Sequence, residues 1–396
     1  MNPSSRSAIL TYTVVLVLAA LAQAQTFAIL YNFTGGSDGN GPIGGVIRDS
    51  AGNLYGAANA GGDLNCPNNP FGCGAVFEVT TDGTETVLYN FAGPPSDGAF
   101  PLTTVTRDKA GNIYGTTYYG GSSGQGTVFK IDTHGNEKVL YSFTGGSDGC
   151  LPAQGLVRDS AGSLYGTTYG KLEGQCFSSN YGTIFKLGSA GDFTVLHTFA
   201  GPPSDGGSPS GGHLTMDKAG NLYGVTGDGG GTACLYGCGA LYELSKKGKF
   251  RMLHSFAGGT SDGCHPVGSV ARDIYGNLYG TTNGCGSKGY GTIWKVSAAG
   301  KETVLHEFDA SDGRYPTGGV VRDSKGNLYG VTGYGGRGFG TLYELSAKGT
   351  LMVLHSFEGT DGVLADGVLR TTKGTLFGTT VKSGTYDGGT VWSYVP

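Results

Sequence analysis

Residues 319–357 read GVVRDSKGNLYGVTGYGGRGFGTLYELSAKGTLMVLHSF, and the way this stretch divides decides the fold. Gly319-Val320-Val321-Arg322-Asp323 alternates like a short strand, and Ser324-Lys325-Gly326-Asn327 supplies a tight turn. Leu328-Tyr329-Gly330-Val331-Thr332 reads as a second strand, followed by a Gly-rich loop over residues 333–340. Thr341-Leu342-Tyr343-Glu344-Leu345 is a third strand, Ala347-Lys348-Gly349 a turn, and residues 351–357 a fourth strand. Four short antiparallel strands with the long loop between the second and third predict one blade of a β-propeller. Such a unit is too small to bury a core alone, so neighbouring copies must stack.

The same unit recurs along the chain. Its clearest marker, Gly-Asn-Leu-Tyr-Gly, places its aromatic at Tyr55, Tyr114, Tyr165, Tyr223, Tyr279, Tyr329 and Phe377. The unequal spacing assigns insertions to loops around a constant core. Third strands carry Phe77, Phe129, Phe185, Tyr242, Trp294, Tyr343 and Trp392; fourth strands end at Phe33, Phe91, Phe143, Phe199, Phe256, Phe308 and Phe357. The first of those fourth strands, residues 26–33, precedes every blade, whereas the last blade stops after its third strand. The expected fold is therefore all-β, a seven-bladed propeller over residues 25–396 of four-stranded antiparallel blades. Its N-terminal strand pairs in the last blade, so that no edge stays open.

Composition agrees. Of 396 residues 77 are Gly and 14% are charged, and beyond residue 24 the longest stretch free of Gly and Pro is residues 301–312. Interior glycines cost a helix about 1 kcal/mol each, which excludes helical bundles and doubly wound α/β folds. With 38% hydrophobic and 11% aromatic residues the chain can build a core. A net charge of -4, evenly spread, excludes nucleic acid as an expected partner.

The run DG…P…GVVRDSKGNLYGVT…GG…GTLYELSAKGTLMVLHSF resembles the GloVer tandem repeat family of exported bacterial proteins, over residues 26–395. The resemblance implies export and a repeat fold, and implies no chemistry. No C-terminal surface anchor of the kind many such proteins carry is expected. Export also follows from residues 1–24, where Arg6, an apolar run and Ala22-Gln23-Ala24 form a signal-peptide pattern. The apolar run is too short for a membrane span, so the expected product is a secreted, periplasmic or cell-surface monomer without a membrane span after cleavage near Ala24.

Eight cysteines fit an oxidising compartment. Cys150 and Cys264 share one repeat position and Cys73 and Cys238 another, each with a second cysteine in the long loop of its own copy. The predicted bridges are Cys150–Cys176, Cys264–Cys285, Cys66–Cys73 and Cys234–Cys238, stapling one face.

Chemical motifs are scarce. Ser/Thr-Asp-Gly recurs with Asp38, Asp97, Asp148, Asp205, Asp262, Asp312 and Asp361; the alternatives are a Ca²⁺-holding ring and turn chemistry, and turn chemistry fits recurrence in every copy. A second set, Asp49, Asp108, Asp159, Asp217, Asp273 and Asp323, reads as hairpin stabilisation. The fourth-strand series Tyr31, Tyr89, Tyr141, His197, His254, His306 and His355 reads as a packed ring with a hydrogen-bonding edge. G-x-S-x-G matches at Gly35, Gly145 and Gly120 lack the strand-to-helix turn that motif needs, so no catalytic residue, cofactor or metal is expected. Aromatics gather in the loops: Phe71, Tyr118, Tyr119, Tyr169, Phe177, Tyr181, Tyr236, Tyr290, Tyr334, Phe339 and Tyr386, with Arg337 among glycines. Of these, Tyr118, Tyr119, Tyr334 and Arg337 are the candidate ligand-binding residues, for an extracellular glycan or protein. The alternative is a propeller hydrolase or lyase, for which the unique candidates are His213, His265 and Asp228.

Overall fold

A computed structural model describes residues 25–67, 69–170, 176, 181–209 and 212–396. The expected signal peptide, residues 1–24, and Phe177 lie outside the described residues. The described chain is built of short strands, with seven antiparallel sheets arranged as propeller blades. Blade 1 takes Asn40–Arg48, Leu54–Ala60, Ala75–Val79 and Glu85–Asn90 in hydrogen-bonded order. Blade 7 takes Val363–Arg370, Leu376–Lys382 and Thr390–Val395, and Thr26–Asn32 pairs on its outer edge with Thr26 opposite Val395. The ring therefore closes as the sequence expects.

Packing explains the repeat signature. Every third-strand aromatic is at most 1% exposed. It lies flat over the second Gly of Gly-Asn-Leu-Tyr-Gly in its own blade: a Cβ at Gly56, Gly115, Gly166, Gly224, Gly280, Gly330 or Gly378 would collide with that ring. The fourth-strand Phe of each blade meets the third-strand aromatic of the next. Centroids are 4.8–6.0 Å apart and planes cross at 59–68° at all seven junctions, the 7-to-1 junction included. These tilted, near-edge contacts add to the burial of two large rings.

A second junction contact explains the Pro after Ser/Thr-Asp-Gly. In six blades its ring seats on the Gly that opens the third strand of the preceding blade, as Pro101 does on Gly74 and Pro42 on Gly389. The residue before that Pro donates its N–H to the preceding blade, for example Phe100 to Cys73 at 2.8 Å and Tyr315 to Tyr290 at 2.8 Å. That residue is left-handed in every blade, with non-Gly side chains at Phe100, Leu151, Ser208, His265, Tyr315 and Leu364.

The first strand departs from its expected form. Gly319–Asp323 was read as one alternating strand, but blade 6 has two pieces, Arg314–Pro316 and Val321–Arg322, flanking an unpaired segment. Seven innermost strands converge here, and backbone replaces side chains. A Cβ at Gly268 would fall onto the Gly319 backbone. The converging segments line a central channel of about 440 Å³.

On the opposite rim from the long loops, the Arg before the hairpin Asp lies over the Tyr of the preceding blade, as Arg107 over Tyr55 at 4.9 Å and Arg370 over Tyr329 at 5.0 Å. In blade 4 Met216 stands at this Arg position.

Replacing Phe308, fully buried against Tyr343 across a junction, with Ala is expected to cost about 3–5 kcal/mol. Urea unfolding of the oxidised protein measures it, as a lower midpoint.

Candidate functional site

The loop-rich face is built on a frame that repeats in each blade. The Asp of each Ser/Thr-Asp-Gly accepts the backbone N–H of the residue after the fourth-strand Phe, as from Thr34 at 2.7 Å and Ala257 at 2.7 Å. The same carboxylate accepts from the fourth-strand ring: Tyr31, Tyr89 and Tyr141 at 2.9–3.0 Å. His197, His306 and His355 hold it at 2.6–2.8 Å. Two series read separately in the sequence thus form one pair per blade, and the Asp series does turn chemistry. The hairpin Asp set does the same on the other rim. Asp49 bonds the Gly52 and Asn53 N–H groups and the Tyr55 hydroxyl. Burial opposes its ionisation, yet those donors hold its pKa below the usual range. It also faces Arg107 of blade 2 at 4.0 Å, an inter-blade contact that hairpin stabilisation alone does not include.

The four disulfides are Cys66–Cys73, Cys150–Cys176, Cys234–Cys238 and Cys264–Cys285, with Cα separations of 5.1–6.0 Å. Two lie within long loops, and two tie a Ser-Asp-Gly loop to the long loop of the same blade. Such bonds fit an extracellular or otherwise oxidising location.

What varies sits on this frame. Buried threonine pairs such as Thr117 with Thr127 at 2.8 Å and Thr380 with Thr390 at 2.8 Å lock the second strand to the third. Directly after them the blades carry Asn59, Tyr118, Tyr169, Gly227, Asn283, Gly333 and Val381.

The candidate residues fall into two separate groups. In blade 2, Tyr118 and Tyr119 meet edge to face at 4.7 Å, and Tyr119 packs on Phe100 at 5.8 Å. Burial, with smaller contributions from Tyr119 and Tyr169, pushes the Tyr118 hydroxyl up to about 12. In blade 6, Tyr334 is 43% exposed. It stands edge-on to Tyr315 at 6.2 Å, which in turn meets Tyr290 of blade 5 at 6.0 Å. Arg314 lies over both Tyr315 and Tyr334. Arg337 instead pairs with Glu358, and both are exposed. Sequence reasoning passed over Arg314, Tyr315 and Phe100. Their signal was the position before the junction Pro, which is chemically different in each blade. Tyr181 and Tyr236 line a third feature with Pro202, Pro203 and Leu235, a cavity of about 320 Å³ between blades 3 and 4.

The channel holds two titratable side chains that break the ring symmetry. His213 accepts or donates at Nδ1 to the Ser269 hydroxyl at 3.0 Å, and its N–H bonds the same oxygen at 2.9 Å. Its side chain is exposed to the channel lumen, and desolvation by the surrounding protein lowers its pKa. Asp366, overlooked in the sequence, stands at the register position that Ile43 and Val267 hold in blades 1 and 5, and accepts the Gly44 N–H at 2.9 Å across the last junction. Burial raises its pKa against the Gly44 and Gly367 N–H groups. The described residues show no contact between the two. His265 and Asp228 face other partners, the Gly227 carbonyl at 3.1 Å and the Ser208 hydroxyl at 2.5 Å.

A third series bears on stability. The residue four positions before each Tyr or His packs on the equivalent ring of the preceding blade. It is Phe27 on His355, Phe193 on Tyr141 and Phe250 on His197, stacked at 3.7–4.0 Å. Glu85 and Glu137 occupy this place beside Tyr31–Asp38 and Tyr89–Asp97. Burial, then the neighbouring Asp38 and Asp97 carboxylates, raises each Glu to about 7. A pKa raised on folding favours the folded state while the group is protonated, and that stability is lost as pH climbs through about 7. The thermal midpoint is therefore expected to fall between about pH 5 and 8, and a Glu85→Gln/Glu137→Gln double variant to flatten that slope in thermal scans.

The profile of the Gloeobacter/Verrucomicrobia repeat matches residues 15–177 and 173–392. No curated protein matches by sequence. Among solved structures, the chain is similar to the extracellular domain of a protein described as a one-component system from B. thetaiotaomicron. There the TM-score is 0.56 at 10% identity, covering 92% of this chain and 39% of that one. A gluconolactonase from Xanthomonas campestris gives a TM-score of 0.46 at 13% identity, covering 96% and 93%. A luciferin-regenerating enzyme gives 0.46 at 12% identity, covering 94% and 95%. At these identities the likeness is one of fold.

Proposed function

We propose that this chain, which belongs to the Gloeobacter/Verrucomicrobia repeat family, is an exported, non-catalytic binding scaffold for an extracellular glycan or protein. The observation that carries this reading is the contrast on the loop-rich face. One frame recurs at all seven junctions, while the residue directly above it is Tyr in blades 2 and 3 and Asn, Gly or Val in the others, and loop aromatics stand beside it at Tyr290 and Tyr334 in blades 5 and 6. Variable loops on a rigid scaffold are where recognition resides. Tyr rings offer broad contact area with a hydrogen-bonding edge at low entropic cost. Tyr334, half-exposed beside Arg314 and Tyr315, is the best placed of the named residues to stack on a sugar face or a peptide side chain. Arg337 serves this reading less, because Glu358 engages it.

The enzyme reading has its footing in the channel. There the His213–Ser269 contact is the hydroxyl–imidazole pair from which nucleophilic catalysis starts. A third group orienting the imidazole would complete it, and Asp366 is bonded elsewhere.

Thermal unfolding of the oxidised chain against a panel of extracellular polysaccharides tests the proposal, since a ligand selective for the folded state raises the midpoint. A saturable rise with one glycan is expected, reduced by Tyr334→Ala and by the Tyr118→Ala/Tyr119→Ala pair. A rise unaffected by both, and abolished by His213→Ala, moves the site to the channel.

A further inference from the structure

Seven junctions built to one plan act as controls for one another, and the junction of blades 4 and 5 breaks the plan. At three of the other junctions with a fourth-strand His, Nε2 holds its Asp at 2.6–2.8 Å. The ring from the next blade at this place is apolar: Phe250, Leu351 or Phe27. At the two other junctions with a Glu there, the fourth-strand ring is Tyr31 or Tyr89. Only between blades 4 and 5 do His, Asp and Glu meet, as His254, Asp262 and Glu302. One ligand atom from each lies within 4.8 Å of the others.

The local geometry is unlike the other His junctions. His254 Nε2 stands 3.5 Å from Asp262 Oδ2, a longer and weaker contact than at the other His junctions, and this buried atom has no better-placed partner. Glu302 Oε1 is buried without a partner, as Glu85 Oε1 and Glu137 Oε1 are at the two Tyr junctions. What sets this junction apart is that the carboxylate shares its place with a loosely held His–Asp pair, and poorly satisfied polar atoms in a half-buried place cost stability unless something else satisfies them. Asp262 is meanwhile fixed by the Ala257 and Gly263 N–H groups, both at 2.7 Å, which leaves its remaining lone pairs aimed at the gap. That is the outer support that holds a ligating carboxylate in place.

We propose that His254, Asp262 and Glu302 form a binding site for a divalent transition-metal cation that clips blade 4 to blade 5. An imidazole nitrogen with two carboxylate oxygens is a donor set for Zn²⁺ or Mn²⁺ rather than for Ca²⁺, which takes oxygens alone. Ligands about 2.1 Å from a tetrahedral ion sit about 3.4 Å from one another, close to the His254–Asp262 separation. A hydrogen-bonded pair would be shorter. The fourth coordination position is left to water, and the Cys264–Cys285 bridge anchors the same loop two residues on.

The ring itself supplies the test variants. His254→Tyr reproduces the side chain found opposite Glu85 and Glu137, and Glu302→Phe reproduces the one found opposite His197. Each installs a combination the fold already tolerates elsewhere. The oxidised full chain is stripped with chelator and titrated with Zn²⁺ by calorimetry at pH 7.5, with bound metal counted by elemental analysis and the unfolding midpoint followed in parallel. The expected result is one saturable ion per chain, a raised midpoint, and loss of both in His254→Tyr and in Glu302→Phe. Binding should be retained in His134→Ala, which removes an exposed His beside Asp132. Absence of saturable binding overturns the proposal, and so does binding that survives both junction variants. Should Glu302→Phe fail to fold, Glu302→Gln keeps the volume and removes the charge, and retained binding in it together with His254→Tyr overturns the proposal equally.

Discussion

Everything in this molecule depends on one contact made seven times, the near edge-on meeting of a fourth-strand Phe with the third-strand aromatic of the next blade. Neither ring has a place without the other. The third-strand ring lies flat because the Gly beneath it has no side chain, and it is sealed from above by the Phe of its neighbour. Blades so joined need no shared hydrogen-bond ladder. The Pro-on-Gly seat, made at six junctions, and the Arg-over-Tyr contact, absent where Met216 replaces the Arg, then add hold at the two rims. The ring tolerates long and unequal insertions because none of these contacts passes through a loop.

Much of this was legible in the sequence, since the residues concerned are large aromatics, glycines and prolines at fixed offsets within each copy. The blade number, the strand that closes the ring and the cysteine pairs all follow from counting equivalent positions. Relations between copies were harder to see. Asp38 and Tyr31 belong to one pair, yet nothing within a single repeat says that Glu85 of the next blade also faces them. His254 and Glu302 are 48 residues apart in chain positions, each ordinary in its own repeat, and only the junction makes them neighbours. Asp366 escaped notice for the opposite reason. It stands where other blades carry Ile43 or Val267, in a segment that reads as regular strand, and the significance of that segment comes from seven strands converging on one axis.

The frame and its exceptions divide the labour. Constant pairs such as Thr117–Thr127 and Tyr31–Asp38 consume their own hydrogen-bonding capacity and present little to a partner. The exceptions are positions where the frame leaves the side chain free to differ: after the threonine pair, before the junction Pro, and in the channel. They cluster on the loop-rich face because that is where strands end and the packing rules relax. The left-handed residue before each Pro is a backbone requirement met by Phe, Leu, Ser, His or Tyr in turn. A left-handed position kept in every blade, yet filled by Gly, Phe, Leu, Ser, His or Tyr, separates what the fold demands from what recognition uses.

The strand at residues 26–32 has a consequence for the order of events. A polypeptide emerges N-terminus first, so the segment that completes the last blade is made before any of the blades and has no partner until Val395 appears. Its contacts are the most distant in the chain, and distant contacts form slowly because a long loop must close before they give any return. Until then blade 1 has no Phe33 above Phe77 with a blade behind it, and blade 7 has an uncovered outer edge. The molecule is an open arc for the whole of its synthesis. Its ring can close only once the last blade has been made.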